Sequence, residues 1–173
     1  QPIPQEAAQR LDRDAHFLRL PGVWRLLAML FLFKFRDTLA TTMFRPFMVD
    51  RGLSLQDVGW MLGTVGFVAG LAGALAGGWL AGRLQRKTAL ILCACAQAAT
   101  LGIYVLAAMS FPGKATLTWV IAIEHAGGGM ATAALFTCMM DWCRRGRTGT
   151  DYTVQASTVV IASSLAAALS GIT

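Results

Sequence analysis

The chain has 173 residues, of which 55% are hydrophobic and 14% charged, with a mean hydropathy of +0.55. That is too apolar for an ordinary soluble domain of this length and makes an integral membrane protein the starting expectation. A net charge of +6 would suit a nucleic-acid binder, but all of the 15 basic residues except Lys34 and Arg36 lie at the ends of apolar runs, mostly at alternate ends, which excludes that reading and points to membrane topology instead.

Residues 1–22 contain Glu6, Asp12 and Asp14 and no continuous apolar core, so they are neither a signal peptide nor a membrane span. They read as a cytoplasmic linker. Ala7, Ala8, Leu11, Ala15 and Leu18 recur at helical spacing, which suits an amphipathic helix on the membrane face, and a disordered connector is the open alternative. A spanning helix needs about 20 predominantly apolar residues, and such runs fall at 23–49, 58–81, 88–111, 117–142 and 153–173. The expectation is an all-α, polytopic membrane bundle of about five spans. Arg10, Arg13, Arg19, Arg25, Arg83, Arg86, Lys87, Arg144, Arg145 and Arg147 fall on one side of it. Only Arg45, Arg51 and Lys114 fall on the other, so the residues before the first span are expected on the cytoplasmic side.

The first span carries Lys34, Arg36 and Asp37 near its centre, where each ionised residue costs roughly 2.5–3.5 kcal/mol on insertion scales. Such residues need partners or water. Lys34, Asp37, Thr38, Thr41 and Arg45 share one helical face. One reading makes that face the wall of a hydrated cavity, with Asp37 a candidate proton carrier and Lys34 and Arg45 offering positive charge to an anionic group. The other makes Lys34 and Asp37 an i, i+3 ion pair that neutralises itself. Arg36 points to the opposite face and reads as structural.

In the second span Gly59, Gly63, Gly66, Gly70, Gly73 and Gly77 alternate at spacings of four and three, a 3.5-residue seam along which another backbone can approach closely. The run ends in a basic turn, Gly78-Trp79-Leu80-Ala81-Gly82-Arg83-Leu84-Gln85-Arg86-Lys87. The third span and the end of the fourth hold Cys93, Cys95, Cys138 and Cys143. With no C-x-x-C pair and no histidine at ligand spacing, these read as packing residues, with no metal and no cofactor expected.

The fourth span contains Glu124-His125 followed by Gly127-Gly128-Gly129. Burial disfavours the charged form of a carboxylate and neutral histidine is a natural shuttle, so this pair suits proton coupling. The plainer readings are that Glu124 satisfies Arg36 or Lys34 across the bundle and that His125 is a hydrogen-bonded packing residue. The triple glycine either unwinds the helix or admits a close neighbour. Asp141 reads as a surface or latch charge beside Arg144 and Arg145. In the last span Asp151, Gln155 and Thr158 share a face beside Tyr152; Asp151 reads as a helix cap and Gln155 as part of a pathway.

The turn from Gly78 to Leu90 resembles the G-x-L-A-D-R-x-G-R-K-x-x-L loop of the major facilitator superfamily, with Gly82 in place of the usual Asp and Gln85 in place of the usual Gly. The chain after the linker is similar to the second half of AmpG-like permeases of that superfamily. Lys34 and Asp37 match a K-x-x-D pattern in the seventh helix. Glu124, Gly128, Gly129, Met130, Thr132, Ala133 and Ala134 match a tenth-helix pattern, and Tyr152, Thr153 and Gln155 an eleventh-helix one. Met139-Met140-Asp141 and the run from Asp151 to Ser157 look most like the branch importing siderophores such as pyochelin and rhizobactin, a sister to the muropeptide importers. Arg36 departs from the small residue usual before the Asp.

The resemblance implies a secondary transporter of the bacterial inner membrane with twelve helices in two halves, a central site for a siderophore or muropeptide, and alternating access driven by protons. Bundles of six are the unit of such transporters, so five spans imply that another six-helix half is the partner and that this chain is a fragment. A membrane-embedded enzyme would need a nucleophile and base, or metal ligands, at one depth, and the sequence offers no such set. A structural membrane subunit would not need the polar stripe of the first span.

Overall fold

A computed structural model describes residues 17, 18, 20–110 and 113–171. Most of the linker, including the helix expected there and Arg10, Arg13 and Arg19, lies outside the described residues. Among them the chain is all helix and turn, with no strand. The long helices are α1 (Val23–Asp50), α2 (Leu55–Arg83), α3 (Arg86–Ser110), α4 (Lys114–Asp141) and α5 (Thr148–Ser170). Three of them are long and apolar enough to cross a membrane by length and composition: Leu55–Arg83, Lys87–Ser110 and Thr148–Ser170. The other two, α1 and α4, have 28 residues each, which is ample length. They fall short on polarity because they carry Lys34, Arg36 and Asp37, and Glu124 and His125.

The helix ends follow local chemistry. Gly52 and Gly146 stand in the turns before α2 and α5 with φ of 86° and 80°, a region that side chains with a Cβ avoid. The Ser54 hydroxyl caps α2 by accepting from the Asp57 N–H at 3.1 Å. Within α2, Trp60–Val65 forms a π-helical turn.

The described residues group into two compact units, one within residues 1–43 and 139–173, the other within 44–138. In the second unit α2 and α4 meet along their backbones. A Cβ at Gly73 would fall inside the Ala126 carbonyl, one at Gly77 on the Met130 backbone, and one at Gly129 on the Gly70 carbonyl. The Gly66 Cβ position lies 2.7 Å from the His125 ring. Small residues thus line the inner face of α2, with Gly66, Gly73, Gly77 and Ala81 buried, while Phe67, Val68, Leu71, Leu75 and Trp79 stand on its outer face. That inversion of the soluble pattern is how helices pack where lipid is as apolar as the side chains.

Gly59 and Gly63 depart from the expected seam, since a Cβ at either would meet nothing within 4 Å. The π turn is the reason. It spends one more residue per turn than an α-helix, which turns everything before it by about 100° relative to the α-helical run that follows. The triple glycine does not unwind α4, which runs unbroken through it. It admits neighbours: Gly129 takes the α2 backbone and Gly127 takes Thr100 of α3, whose Oγ1 would lie 2.8 Å from a Cβ there.

In the first unit, Val23, Leu26, Leu27 and Leu30 of α1, Met139 of α4, and Val159, Ala162 and Ala166 of α5 are buried. In the second unit, the Phe44 ring stacks on Tyr104 with centroids 3.8 Å apart, within an apolar cluster that includes Met48, Met61, Leu117 and Ile121.

The packing separates the glycines sharply. Gly73→Ala and Gly77→Ala should each lower the stability of the full-length protein by about 1–3 kcal/mol or more, the cost of overpacking against backbone that cannot yield. Gly59→Ala and Gly63→Ala should be near neutral. Thermal unfolding in detergent monitored on all four variants checks this, and equal losses at all four positions would refute the contact.

Candidate functional site

In the first unit the polar face of α1 closes on itself. Lys34 Nζ donates to Asp37 Oδ2 at 2.8 Å, with the Asp37 side chain 12% and the Lys34 side chain 25% exposed. A helix turn sets this spacing, since residues three apart are neighbours on one face. Thr38 Oγ1 donates to Ser163 Oγ of α5 at 3.3 Å, tying the stripe to the facing helix. The Thr41 hydroxyl turns back to its own helix, at 3.0 Å from the Asp37 carbonyl and 3.1 Å from that of Thr38. Thr42 does the same at 2.6 Å. Arg36 leaves by the other face and lies over the Phe33 ring at 5.5 Å. Arg45, farther along the same helix, is exposed and falls in the second unit.

Asp151 does not cap its helix. The helix begins three residues earlier, at Thr148, and places Asp151 in its first turn, fully buried. There the carboxylate accepts from the Arg144 backbone N–H at 2.9 Å, from Nε at 2.8 Å and from Nη2 at 2.6 Å. This forked arrangement is the strong form of the ion pair. Hydrogen bonding to Asp151 raises the Arg144 guanidinium above its already high ordinary pKa, so it stays charged at any physiological pH. Arg144 also lies over the Phe17 ring at 5.6 Å. Asp151 thus latches this turn, and Asp141 is exposed. One turn on, Gln155 is fully buried; its Nε2 donates to the Met139 carbonyl at 3.1 Å and the Asp151 carbonyl at 3.3 Å. Its Oε1 is buried with no hydrogen-bond partner. Thr158 is half-buried and returns its hydroxyl to the Val154 carbonyl at 3.1 Å.

In the second unit Glu124 is 2% exposed, and its Oε2 lies 2.9 Å from His125 Nδ1. The same nitrogen lies 3.0 Å from the Ile121 carbonyl. Both neighbours accept, so Nδ1 carries the hydrogen. Facing α4, helix α3 presents Gln97, Thr100 and Tyr104, a polar stripe at i, i+3, i+7 that sequence reasoning passed over. Gln97 is fully buried, and Tyr104 is 4% exposed with a hydroxyl that has no hydrogen-bond partner. A Cβ on Gly128 would lie 3.7 Å from Gln97 Nε2 and 4.0 Å from Glu124 Oε1, so the glycine keeps open the space between α3 and the carboxylate.

A second unexpected contact joins the helix starts: Lys114 Nζ donates to Asp57 Oδ2 at 2.7 Å. In the basic turn Arg83 lies over the Trp79 ring at 4.3 Å, Arg86 opens α3 and Lys87 is exposed. Gly78 and Gly82 touch nothing that a Cβ would disturb. No group of metal-ligating side chains occurs among the described residues.

Apolar helices of membrane length packed through glycine, with buried ionisable groups inside them, define a multi-pass helical membrane protein. The family model of the Major Facilitator Superfamily matches residues 2–171, and the chain belongs to that family of transporters. It is 26% identical over 153 residues to the anhydromuropeptide permease of Escherichia coli K12, covering 87% of this chain and 31% of that protein. The same values hold for the permease of Escherichia coli O157:H7. An uncharacterized protein of Haemophilus influenzae is 34% identical over 120 residues, which is 65% of this chain and 28% of that protein. The chain thus spans less than a third of the length of the curated relatives it matches. The two of these three that carry a stated function are anhydromuropeptide permeases.

The Lys34–Asp37 pair is directly testable. Asp37→Asn in the full-length protein leaves Lys34 without its carboxylate, at a cost of at most about 3–5 kcal/mol, the figure for a fully buried pair. Adding Lys34→Met should recover most of that loss. Membrane expression and thermal unfolding of both single variants and the double variant measure the coupling; strictly additive effects would show that the pair contributes nothing.

Proposed function

We propose that the full-length protein is a proton-coupled permease of the AmpG-like group that imports muropeptides across the bacterial inner membrane. The observation that carries this is the match to anhydromuropeptide permeases over most of the chain. The fold supports it physically: the helices hold polar groups inward, as buried pairs and tied hydroxyls, where a solute or proton path needs them. On this reading residues 23–173 are the spanning bundle and belong to the second half of a twelve-helix transporter, with the other six-helix half and the lipid bilayer as partners. In the first unit Lys34, Asp37, Thr38, Thr41 and Gln155, and separately in the second unit Glu124 and Arg45, are the residues this reading offers to a solute or proton. The turn at 83–87 and the turn at 144–147 lie on the cytoplasmic side with the linker. A siderophore importer is the second reading, favoured by the Met139-Met140-Asp141 run and the segment 151–157.

Uptake of a labelled anhydromuropeptide by the full-length protein in vesicles should be competed by unlabelled muropeptide and not by ferric pyochelin, and should collapse when a protonophore dissipates the gradient. Competition by the ferric siderophore alone would reverse the order of the two readings. For topology, a single cysteine placed at Arg145 in a cysteine-free background should react with a permeant reagent only. Labelling there by an impermeant reagent from outside the cell would overturn the orientation.

A further inference from the structure

The Lys34–Asp37 and Glu124–His125 pairs differ in how many protons they need to be electrically neutral. Lys34 and Asp37 sum to zero with no additional proton, because the ammonium lies 2.8 Å from the carboxylate. Glu124 is more deeply buried, and among the described residues no lysine or arginine pairs with it; its ionic neighbour is His125, which carries charge only when protonated. A neutral Glu124–His125 pair therefore holds one extra proton, either as carboxylic acid beside imidazole or as carboxylate beside imidazolium. Without it the pair leaves one net negative charge on a carboxylate that is only 2% exposed, which is costly unless the surroundings change.

We infer that the Glu124–His125 pair, and not Asp37, is the proton-holding group of this chain, beside Gln97 and Tyr104 of α3. The inference deepens the proton-coupled reading above and rests on it. The proton adds to Glu124 Oε or His125 Nε2 and leaves by the same atoms, with no bond between heavy atoms made or broken. Several groups face the pair from the helices packed against it. From α3 comes the Tyr104 hydroxyl, buried and without a hydrogen-bond partner, whose charge environment includes Glu124 and Arg45 of α1. From α2 come Gly66 and Gly70, which bring backbone and no titratable group against His125. Phe44 stacks on the Tyr104 ring and fixes its position. Gly128 leaves the carboxylate open toward Gln97. A hydroxyl that can both donate and accept suits either protonation state of a neighbouring carboxyl, whereas an ammonium suits only the ionised one.

Infrared difference spectra of the purified full-length protein, taken across a pH titration without substrate, test this independently of what is transported. A carboxyl or imidazolium signal should appear in the native protein, vanish in Glu124→Gln and persist in Asp37→Asn. Persistence in Glu124→Gln, loss in Asp37→Asn, or no such signal in the native protein would overturn the assignment. Should Glu124→Gln fail to fold, His125→Asn serves instead: it should move the pH at which the signal changes, and an unmoved midpoint overturns the pairing. Protonophore-insensitive uptake by the native protein would instead sink the coupling reading while leaving these spectra intact.

Discussion

The backbone contact between α2 and α4 is the constraint from which the second unit follows. Gly73 and Gly77 lie so close to Ala126 and Met130 that no side chain fits between them, and Gly129 returns the contact to Gly70. In lipid, burying apolar side chains brings little net gain, so helices hold together through dispersion at short range and through polar contacts. Glycine supplies the first by removing the Cβ. It also sets the depth of α4, and with it the level at which Glu124 and His125 stand beside α3.

Polar residues inside the helices divide by how they are neutralised. Asp151 is held by a forked guanidinium and a backbone N–H, Asp37 by an ammonium one turn away, and the Thr41 and Thr137 hydroxyls by carbonyls of their own helices. Each arrangement satisfies a group that would otherwise cost several kcal/mol in an apolar medium. Glu124 stands apart because its partner is itself titratable. A fixed pair braces a bundle, while a titratable pair can take part in a cycle.

Much of this was legible in the residue order, and the failures have local causes. The i, i+3 spacing of Lys34 and Asp37 foretold their pair, and the apolar runs foretold helices. The glycine seam was read as one α-helical stripe from Gly59 to Gly77, but the π turn at Trp60–Val65 breaks its register, and no pattern of residue types announces such a turn. Asp151 was read as a cap because Thr148, Gly149 and Thr150 look like turn residues. They are helical, and Thr148 and Thr153 bond back to the Arg144 and Gly149 carbonyls at 3.3 and 2.8 Å. Gln97, Thr100 and Tyr104 had a readable spacing. They were passed over because uncharged polar residues in an apolar run raise no alarm by composition.

The π turn also accounts for how one helix satisfies two anchors. At its start α2 is tied to the first residue of α4 by the Asp57–Lys114 ion pair, an exposed contact of modest worth. Farther along it is fixed to the same helix by the glycine contact at residues 125–130. Two helices crossing at an angle cannot keep one straight α-helical stripe facing each other over that whole length, since the stripe drifts around the cylinder. The extra residue between Trp60 and Val65 turns the beginning of α2 relative to its end, so that Asp57 and Gly73 can both address α4. Gly59 and Gly63 fall in the turned part, which is why their lack of side chains serves no contact with α4. The register shift and the seam are thus two parts of one solution: glycine fixes where the helices touch, and the π turn lets the rest of α2 depart from that line without losing its second anchor.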